Sequence, residues 1–337
     1  MGIRNPRIVD FSTNINPAGI PNLAVSALYR GLGKAAEYPD ARSADLVSAL
    51  ARYTGLGRAH ILAGNGATEI IYNFCSSLIS GRRVLVPAPT FAEYEAASRL
   101  AGCRITFLKT MSLADDLDLF ISKIPAGGCV FVCNPNNPTG SMLSKRQISQ
   151  IIITAAKHSC MVFVDECFIE LTQSPKESVI SMVKKYDNLF VLRSLTKSFG
   201  LAGVRVGYAA ASKEAVRTLY NVKIPWSISC MAQEAGIAAL RDRQHLTRSR
   251  KIIKTESEFL RNKMAKMPGI QCSPSSANFV LLKTRHDSAK LQKRLLQRGV
   301  LVRDCANFRG LGSNYIRVAV RSRRENLLLL RALEAVA

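Results

Sequence analysis

The 337-residue chain is short of acid: 24 Asp and Glu stand against 47 Lys and Arg, a formal net charge of +23. No apolar run approaches the roughly 20 residues a membrane-spanning helix needs. The opening stretch MGIRNPRIVDF has no basic-then-apolar signal pattern. Gly2 alone makes no myristoylation motif, because Pro6 stands where Ser or Thr is required. The nine cysteines include no C-x-x-C pair and mostly sit in apolar runs such as GCVFVC (128–133). The four histidines, His60, His158, His245 and His286, form no ligand pattern. A disulfide scaffold, a zinc framework and a membrane span are thereby excluded. The expectation is a cytoplasmic protein with reduced, buried thiols and no structural metal.

What is there is a globular composition, 47% hydrophobic and 21% charged, long enough for one large core or two domains. The excess of basic residues raises a nucleic-acid reading. The densest basic run, RDRQHLTRSRKIIKTESEFLRNKMAKM (241–267), spaces its apolar residues like a helix and puts its charges on the wet face, which favours a solvated helix over a nucleic-acid surface. A basic field still draws small anions toward a cleft.

Strand-like runs at 83–89, 129–135, 161–166, 189–194 and 204–210 alternate with helix-like segments at 67–80, 91–102 and 144–158. Continuous apolar strands between helices predict an α/β fold, a mainly parallel sheet covered on both faces, with ligands outside the C-terminal strand ends. After about residue 222 the pattern changes. A long helical stretch (229–267) leads to strands at 277–284, 300–304 and 315–321 and helices at 288–299 and 323–336, a smaller α+β unit. There is no repeat and no low-complexity linker.

Four motifs fall at strand ends or helix starts. LAGNGATEII (62–71) puts Gly64 and Gly66 before a helix opening on Ala67 and Thr68, a phosphate cradle in form. NPNNPTG (134–140) is a rigid loop from which Asn137 projects a neutral amide; an ordinary turn explains it equally well. FVDECF (163–168) ends an apolar strand on Asp165 and Glu166, and a buried carboxylate needs a partner. In VLRSLTKSFGLAGVRVGY (191–208), Lys197 sits in a break between two apolar runs, with Ser194 before it and Arg205 after it. Burial beside other cations keeps a lysine amine neutral and nucleophilic, and Ser with Arg holds a phosphate. Together these parts describe a pyridoxal phosphate site: a lysine for covalent attachment, an acid for the ring nitrogen and donors for the phosphate.

On NPNNPTG, VDE and SLTKSFGLAGVRVGY the chain resembles the aspartate aminotransferase superfamily of fold type I, over nearly its whole length. The resemblance implies an N-terminal arm (1–35) packing with the small domain, a large cofactor-binding domain (36–222) and a small C-terminal domain (223–337). It implies that Lys197 carries the cofactor, that Asp165 pairs with the ring nitrogen and that Asn137 meets the ring hydroxyl. Gly66, Ala67, Thr68, Ser194 and Arg205 would hold the phosphate. Phe91 would stack on the ring, with Tyr94 as its rival. Tyr38 would reach the phosphate of a neighbouring subunit in an obligate homodimer.

Two branches compete: histidinol-phosphate aminotransferases and the L-threonine O-3-phosphate decarboxylases of cobalamin synthesis. DFSTNINP (10–17), ILAGNGATE (61–69), PWSIS (225–229) and VRDCANFRGLGSNYIRVAVRS (302–322) resemble the decarboxylases more closely. Where the aminotransferases carry a hydrogen-bonding Tyr, this chain has Phe168. Arg303 and Arg317, on adjacent strands, are the expected anchors for substrate phosphate and carboxylate. Asn16, the backbone of STNINP and Asn278 would assist, and Arg321 reads as a surface residue. Decarboxylases of this kind carry a further N-terminal segment with an HGG-like element before DFS. Nine residues precede Asp10 here, which implies a more open pocket and admits L-serine O-phosphate as a substrate. The remaining reading, a retired enzyme fold that binds nucleic acid, is opposed by the joint presence of Lys197, Asp165, Asn137 and Arg205.

Overall fold

The structure, a computed structural model, describes residues 8–336. The start of the expected arm, with Gly2 and Pro6, and the last residue of the expected small domain lie outside the described residues. In chain order the strands are β1 (Val9–Asp10), β2 (Ile61–Gly64), β3 (Arg83–Ala88), β4 (Arg104–Lys109), β5 (Cys129–Cys133), β6 (Met161–Asp165), β7 (Leu189–Ser194), β8 (Gly207–Ala210), β9 (Ile270–Cys272), β10 (Phe279–Thr284), β11 (Val300–Leu301), β12 (Arg303–Asp304) and β13 (Tyr315–Ala319). The helices of the first part are α1 (Asn22–Leu32), α2 (Ala44–Thr54), α3 (Gly66–Leu78), α4 (Glu93–Leu100), α5 (Leu117–Ser122), α6 (Lys145–Lys157), the single turn α7 (Leu195–Ser198) and α8 (Lys213–Val222). The remainder are α9 (Cys230–Arg241), α10 (Arg243–Met264), α11 (Ser288–Gln297) and α12 (Arg323–Glu334).

Seven strands form the central sheet in the order β2-β8-β7-β6-β5-β3-β4. It is mostly parallel; β8 alone runs against its neighbours β2 and β7. β5 and β7 are buried at every position, because helices cover both faces and leave no wet side on which to place polar residues. One face packs Leu46, Val132, Val164 and Leu195, the other Phe74, Phe131, Phe163 and Phe190. This is the α/β fold with a mainly parallel sheet that the alternation of elements predicts.

A four-stranded antiparallel sheet, β12-β13-β10-β9, carries the smaller unit. The arm joins it: β1 pairs in parallel with β11, and Phe11 is wholly buried in the smaller unit's core. The expected cut at 222/223 falls ahead of a helix that packs the other way. α9 lies on α1 and α2, and Ile228, Ala232 and Ala239 join the core of the large unit.

The expected helix over 229–267 is two helices. They break at Asp242, whose carboxylate accepts from the backbone N–H of His245 at 3.0 Å and starts α10 afresh. α10 buries Leu246, Ile253 and Leu260 and exposes Arg243, Lys251 and Lys254. The expected strand over 204–210 begins only at Gly207, because Arg205 adopts a left-handed backbone (φ 65°) that no strand accommodates. Among the described residues no helix is long and apolar enough to cross a membrane.

Candidate active site

The site lies where the C-terminal ends of β5, β6 and β7 meet the smaller unit, around a cavity of about 490 Å³. Its floor follows from strand alternation. Asp165 ends β6 and faces the cavity, so its neighbour Glu166 faces the other way. Glu166 accepts from Arg193 Nε and Nη2 at 3.0 and 2.9 Å, from Ser178 Oγ and from the Val179 N–H. Arg193 also reaches Glu170 at 3.3 Å, which closes a buried charge cluster behind the floor. Of the two acids in FVDECF, only Asp165 is available to a ligand.

Asp165 is buried. Its Oδ2 accepts from the Tyr94 hydroxyl at 2.6 Å and its Oδ1 from the Cys167 N–H at 2.8 Å. Burial raises its pKa above the usual carboxylate value, against the pull of those two donors and of Lys197. Among the described residues it forms no ion pair. A carboxylate so placed is completed by a cation arriving from the cavity. Tyr94 is thus the support of the acid and lies beneath the cavity, while Phe91 lines it, edge-on to Tyr94 at 5.7 Å.

Lys197 stands on α7, whose N-cap Ser194 accepts from the Thr196 N–H at 3.2 Å. Burial lowers the Lys197 pKa, and Arg317 and Arg205 add to the effect, while Cys167 and Asp165 oppose it. The ammonium is thereby biased toward the neutral amine. Phe168 walls the cavity beside it, its ring 5.9 Å from the Lys197 nitrogen, and offers no hydroxyl. The phosphate end is a backbone cradle. α3 opens at Gly66 (φ 77°), and Arg205 occupies the space a side chain there would fill. Ala67, Thr68, Ser194, Thr196 and Arg205 line the cavity at this end. The left-handed backbone of Arg205 costs about 1–2 kcal/mol, a strain that turns its guanidinium toward the α3 N-terminus.

On the opposite wall Arg303 and Arg317 are register partners on β12 and β13. Arg317 is only 6% exposed and, among the described residues, has no acidic partner. Burial pulls its pKa down to about 10. Its Nη1 donates to Asn137 Oδ1 and its Nη2 to the Ser12 carbonyl at 2.8 Å, while its buried Nε finds no acceptor among the described residues. With Oδ1 engaged, Asn137 has only its NH₂ to offer the cavity. Arg303 donates to Asn307 at 3.0 Å, and Asn307 and Phe308 line the cavity with it.

The structure does not bring every expected residue to the site. Asn16 is buried behind it, donating to Ser198 O at 2.7 Å and to Ser249 Oγ at 2.8 Å. Its Oδ1 accepts from the Ala18 N–H in an Asx turn. Asn14, two residues earlier, lines the cavity instead, together with Ser12 and Thr13. Asn278 is buried outside the lining and donates to Ile15 O at 3.2 Å, which ties the arm down. Arg321 is half-buried, bound to Asp10 O and Glu325, rather than a free surface residue. Tyr38 is 85% exposed and packs on Trp226 at 5.3 Å, outside the cavity's lining. Asn14 and Asn307 were missed. Each lies within four residues of a flagged position, the only signal that pointed to them.

The residues present fit pyridoxal phosphate. The unpaired acid suits a protonated ring nitrogen, the oriented amide suits a ring oxygen, and the α3 cradle with Arg205 suits a phosphate.

Comparison with known proteins places this arrangement among relatives. The family model described as aminotransferase class I and II matches residues 6–335. The chain is 36% identical to the threonine-phosphate decarboxylase of Salmonella typhimurium, covering 100% of this chain and 93% of that one. It is 37% identical to histidinol-phosphate aminotransferase 2 of Archaeoglobus fulgidus, covering 98% and 93%. The crystal structure of the histidinol-phosphate aminotransferase from Clostridium acetobutylicum superposes with a TM-score of 0.90 at 32% identity, covering 98% of this chain and 99% of that one.

Proposed function

The chain belongs to the class I and II aminotransferase family and is a pyridoxal-phosphate-dependent enzyme, a decarboxylase or an aminotransferase; from that premise we propose that it removes the α-carboxylate of L-threonine O-3-phosphate. The products would be CO₂ and (R)-1-amino-2-propanol O-2-phosphate, for the nucleotide loop of cobalamin. The observation that carries the reading is the pair Arg303 and Arg317, cross-strand neighbours facing one cavity with no acid between them. Like charges opposite one another on a sheet repel, and a substrate bearing both a phosphate and a carboxylate relieves that repulsion. Threonine phosphate and serine phosphate carry both groups, whereas histidinol phosphate carries one.

The cofactor, when bound, supplies an electron sink for whichever Cα bond stands perpendicular to its ring. The side chains decide which bond that is. Arg317, held by Asn137 and Ser12, and Arg303, held by Asn307, grip the substrate's two anionic groups and set its rotation about Cα. Lys197, whose pKa burial lowers, would take a proton from the substrate's ammonium and return it to Cα. Asp165, fixed by Tyr94 and Cys167, would pair with a protonated ring nitrogen of the cofactor. Phe168 supplies no hydrogen bond where aminotransferase relatives carry a tyrosine, which is compatible with a reaction other than amino transfer.

The aminotransferase reading also has support, since the decarboxylase and aminotransferase relatives are similar to the chain to the same degree. A transaminase brings a dicarboxylate to the same two arginines in its second half-reaction, so the products separate the readings. The enzyme is further proposed to act in the cytoplasm as a homodimer, with Tyr38 reaching its partner's phosphate cradle.

The test follows CO₂ release and amino transfer to 2-oxoglutarate from L-threonine O-phosphate, with L-serine O-phosphate in parallel. CO₂ without keto-acid exchange is expected; exchange without CO₂ overturns the proposal. Arg317→Ala is expected to keep the cofactor's visible absorbance and lose about a hundredfold or more in kcat/KM, the loss of charged hydrogen bonds to substrate. Unchanged affinity for the phosphorylated substrate would show the anchor to be misassigned.

A further inference from the structure

A second hollow, of about 730 Å³, shares no lining residue with the cofactor cavity. Its walls are the loop before α2, the turn at Arg58–His60 and the outer face of α8. Lys213, Arg217 and Tyr220 stand at i, i+4 and i+7 on α8 and therefore share one face. Arg42, Arg58 and Lys223 close the same hollow. Among the described residues no carboxylate lines it and none of these five cations forms an ion pair.

Two acids, Glu69 and Asp40, lie near enough to attract Lys223, but neither pairs with it: Glu69 accepts from the Asn65 N–H, and Asp40 from the backbone N–H groups of Arg42 and Ala44 at 3.0 and 2.6 Å. Lys223 is only 9% exposed, and its ammonium makes a single long contact, 3.4 Å to the Ala41 carbonyl. A buried ammonium with donors to spare is costly, and like charges at i,i+4 destabilise a helix. One bound anion relieves both costs. The charges converge into a concavity of small-molecule size rather than spreading along a face, as a nucleic-acid track would require. Tyr220, Val47 and Val216 add an apolar side to the same wall.

We propose that this hollow is a binding site for a small polyphosphate anion, either an inorganic chain or the phosphates of a nucleotide whose base rests against Tyr220. It is independent of the reaction assigned to the cofactor site.

The experiment is calorimetric titration of the full-length holoenzyme at fixed ionic strength, with inorganic tripolyphosphate and with ATP. One site per chain is expected. The exposed pair Lys213→Ser/Arg217→Ser should weaken binding by about tenfold or more, as loss of charged contacts does, and Lys223→Met should do the same. Arg303→Ala should leave it unchanged. A loss confined to ATP in Tyr220→Ala assigns the nucleotide, and equal behaviour of both probes assigns the inorganic chain. Absence of binding overturns the proposal. So does a loss in Arg303→Ala without one in the α8 pair, which would put the anion in the catalytic cavity. Binding shown only by a long single-stranded RNA would overturn it in favour of a macromolecular surface.

Discussion

Lys197 and Arg317 are both cations in places that disfavour charge, and each is lowered in pKa chiefly by burial. For the lysine this has a consequence in the cofactor-free protein. An amine whose folded pKa lies below its unfolded value of 10.5 binds fewer protons when folded across the interval between the two. Stability therefore rises with pH through that interval, and the burial penalty is felt in full below it. Cofactor-free Lys197→Met is accordingly expected to melt at a higher temperature than wild type at pH 7, with the gap shrinking as pH approaches 10. A gap that grows with pH would mean that the lysine is stabilised as a cation. The same variant should show no cofactor absorbance and no turnover. Of the residues involved, Asp165 was legible in the sequence as an acid ending an apolar run, Lys197 and Arg205 as cations in and after the break between two such runs, and Arg303 and Arg317 as cations set in neighbouring apolar runs. Asn14 was not, because two asparagines two positions apart look alike until the turn beginning at Asn16 separates them.

The site is held together by the close approach of β8 to the start of α3. Gly207 lies against that helix so tightly that a side chain would come within 2.6 Å of the Ala67 nitrogen and the Gly66 carbonyl carbon. Gly207→Ala is therefore expected to destabilise the protein by about 1–3 kcal/mol, the usual range for overpacking, and to weaken cofactor binding by distorting the phosphate cradle. Chemical denaturation and cofactor titration check this, and unchanged cofactor affinity would show that β8 does not set the cradle. The buried strands β3, β5, β6 and β7 were readable as apolar runs. β4, half-exposed at the sheet edge, and the arm-side helices α1 and α2 were not picked out. The break between α9 and α10 was invisible because Asp242 is also an unremarkable residue on a basic helix face; only the cap it makes shows where α10 begins.

At the scale of the whole molecule, the arm and the loop after β12 bring the smaller unit over the cavity. Arg309 donates to both oxygens of Glu95 on α4, at 2.8 and 2.7 Å, and so ties the loop that carries Asn307 and Phe308 to the large unit. A different surface is left uncovered. Tyr29, Leu32, Tyr38, Ile224 and Trp226 are exposed large apolar residues grouped along α1 and the segments after α1 and α8. A monomer rarely exposes such a group without a partner. If a second copy covers it, Trp226→Asp should raise the dimer dissociation constant by about tenfold or more, as loss of a buried aromatic anchor does, and lower activity in parallel. Sedimentation at several concentrations measures the first, and a dimer indifferent to the change would show that this surface is not the dimer interface.

The amino-acid sequence by itself determined the fold class, which depends on local order (apolar strand, polar turn, helix start), and through the motifs NPNNPTG, VDE and SLTKSFGLAGVRVGY it pointed to the family and its cofactor. It also placed two arginines on neighbouring strands. Only the tertiary structure decided that Arg303 and Arg317 are directly opposed, that Asp165 rather than Glu166 meets the cavity, and that Asn14 lines it while Asn16 and Asn278 brace the arm. It alone gathered Arg42, Arg58, Arg217 and Lys223 into one hollow. These are relations between residues distant in the chain, set by strand register, by which face a side chain takes and by where the chain turns.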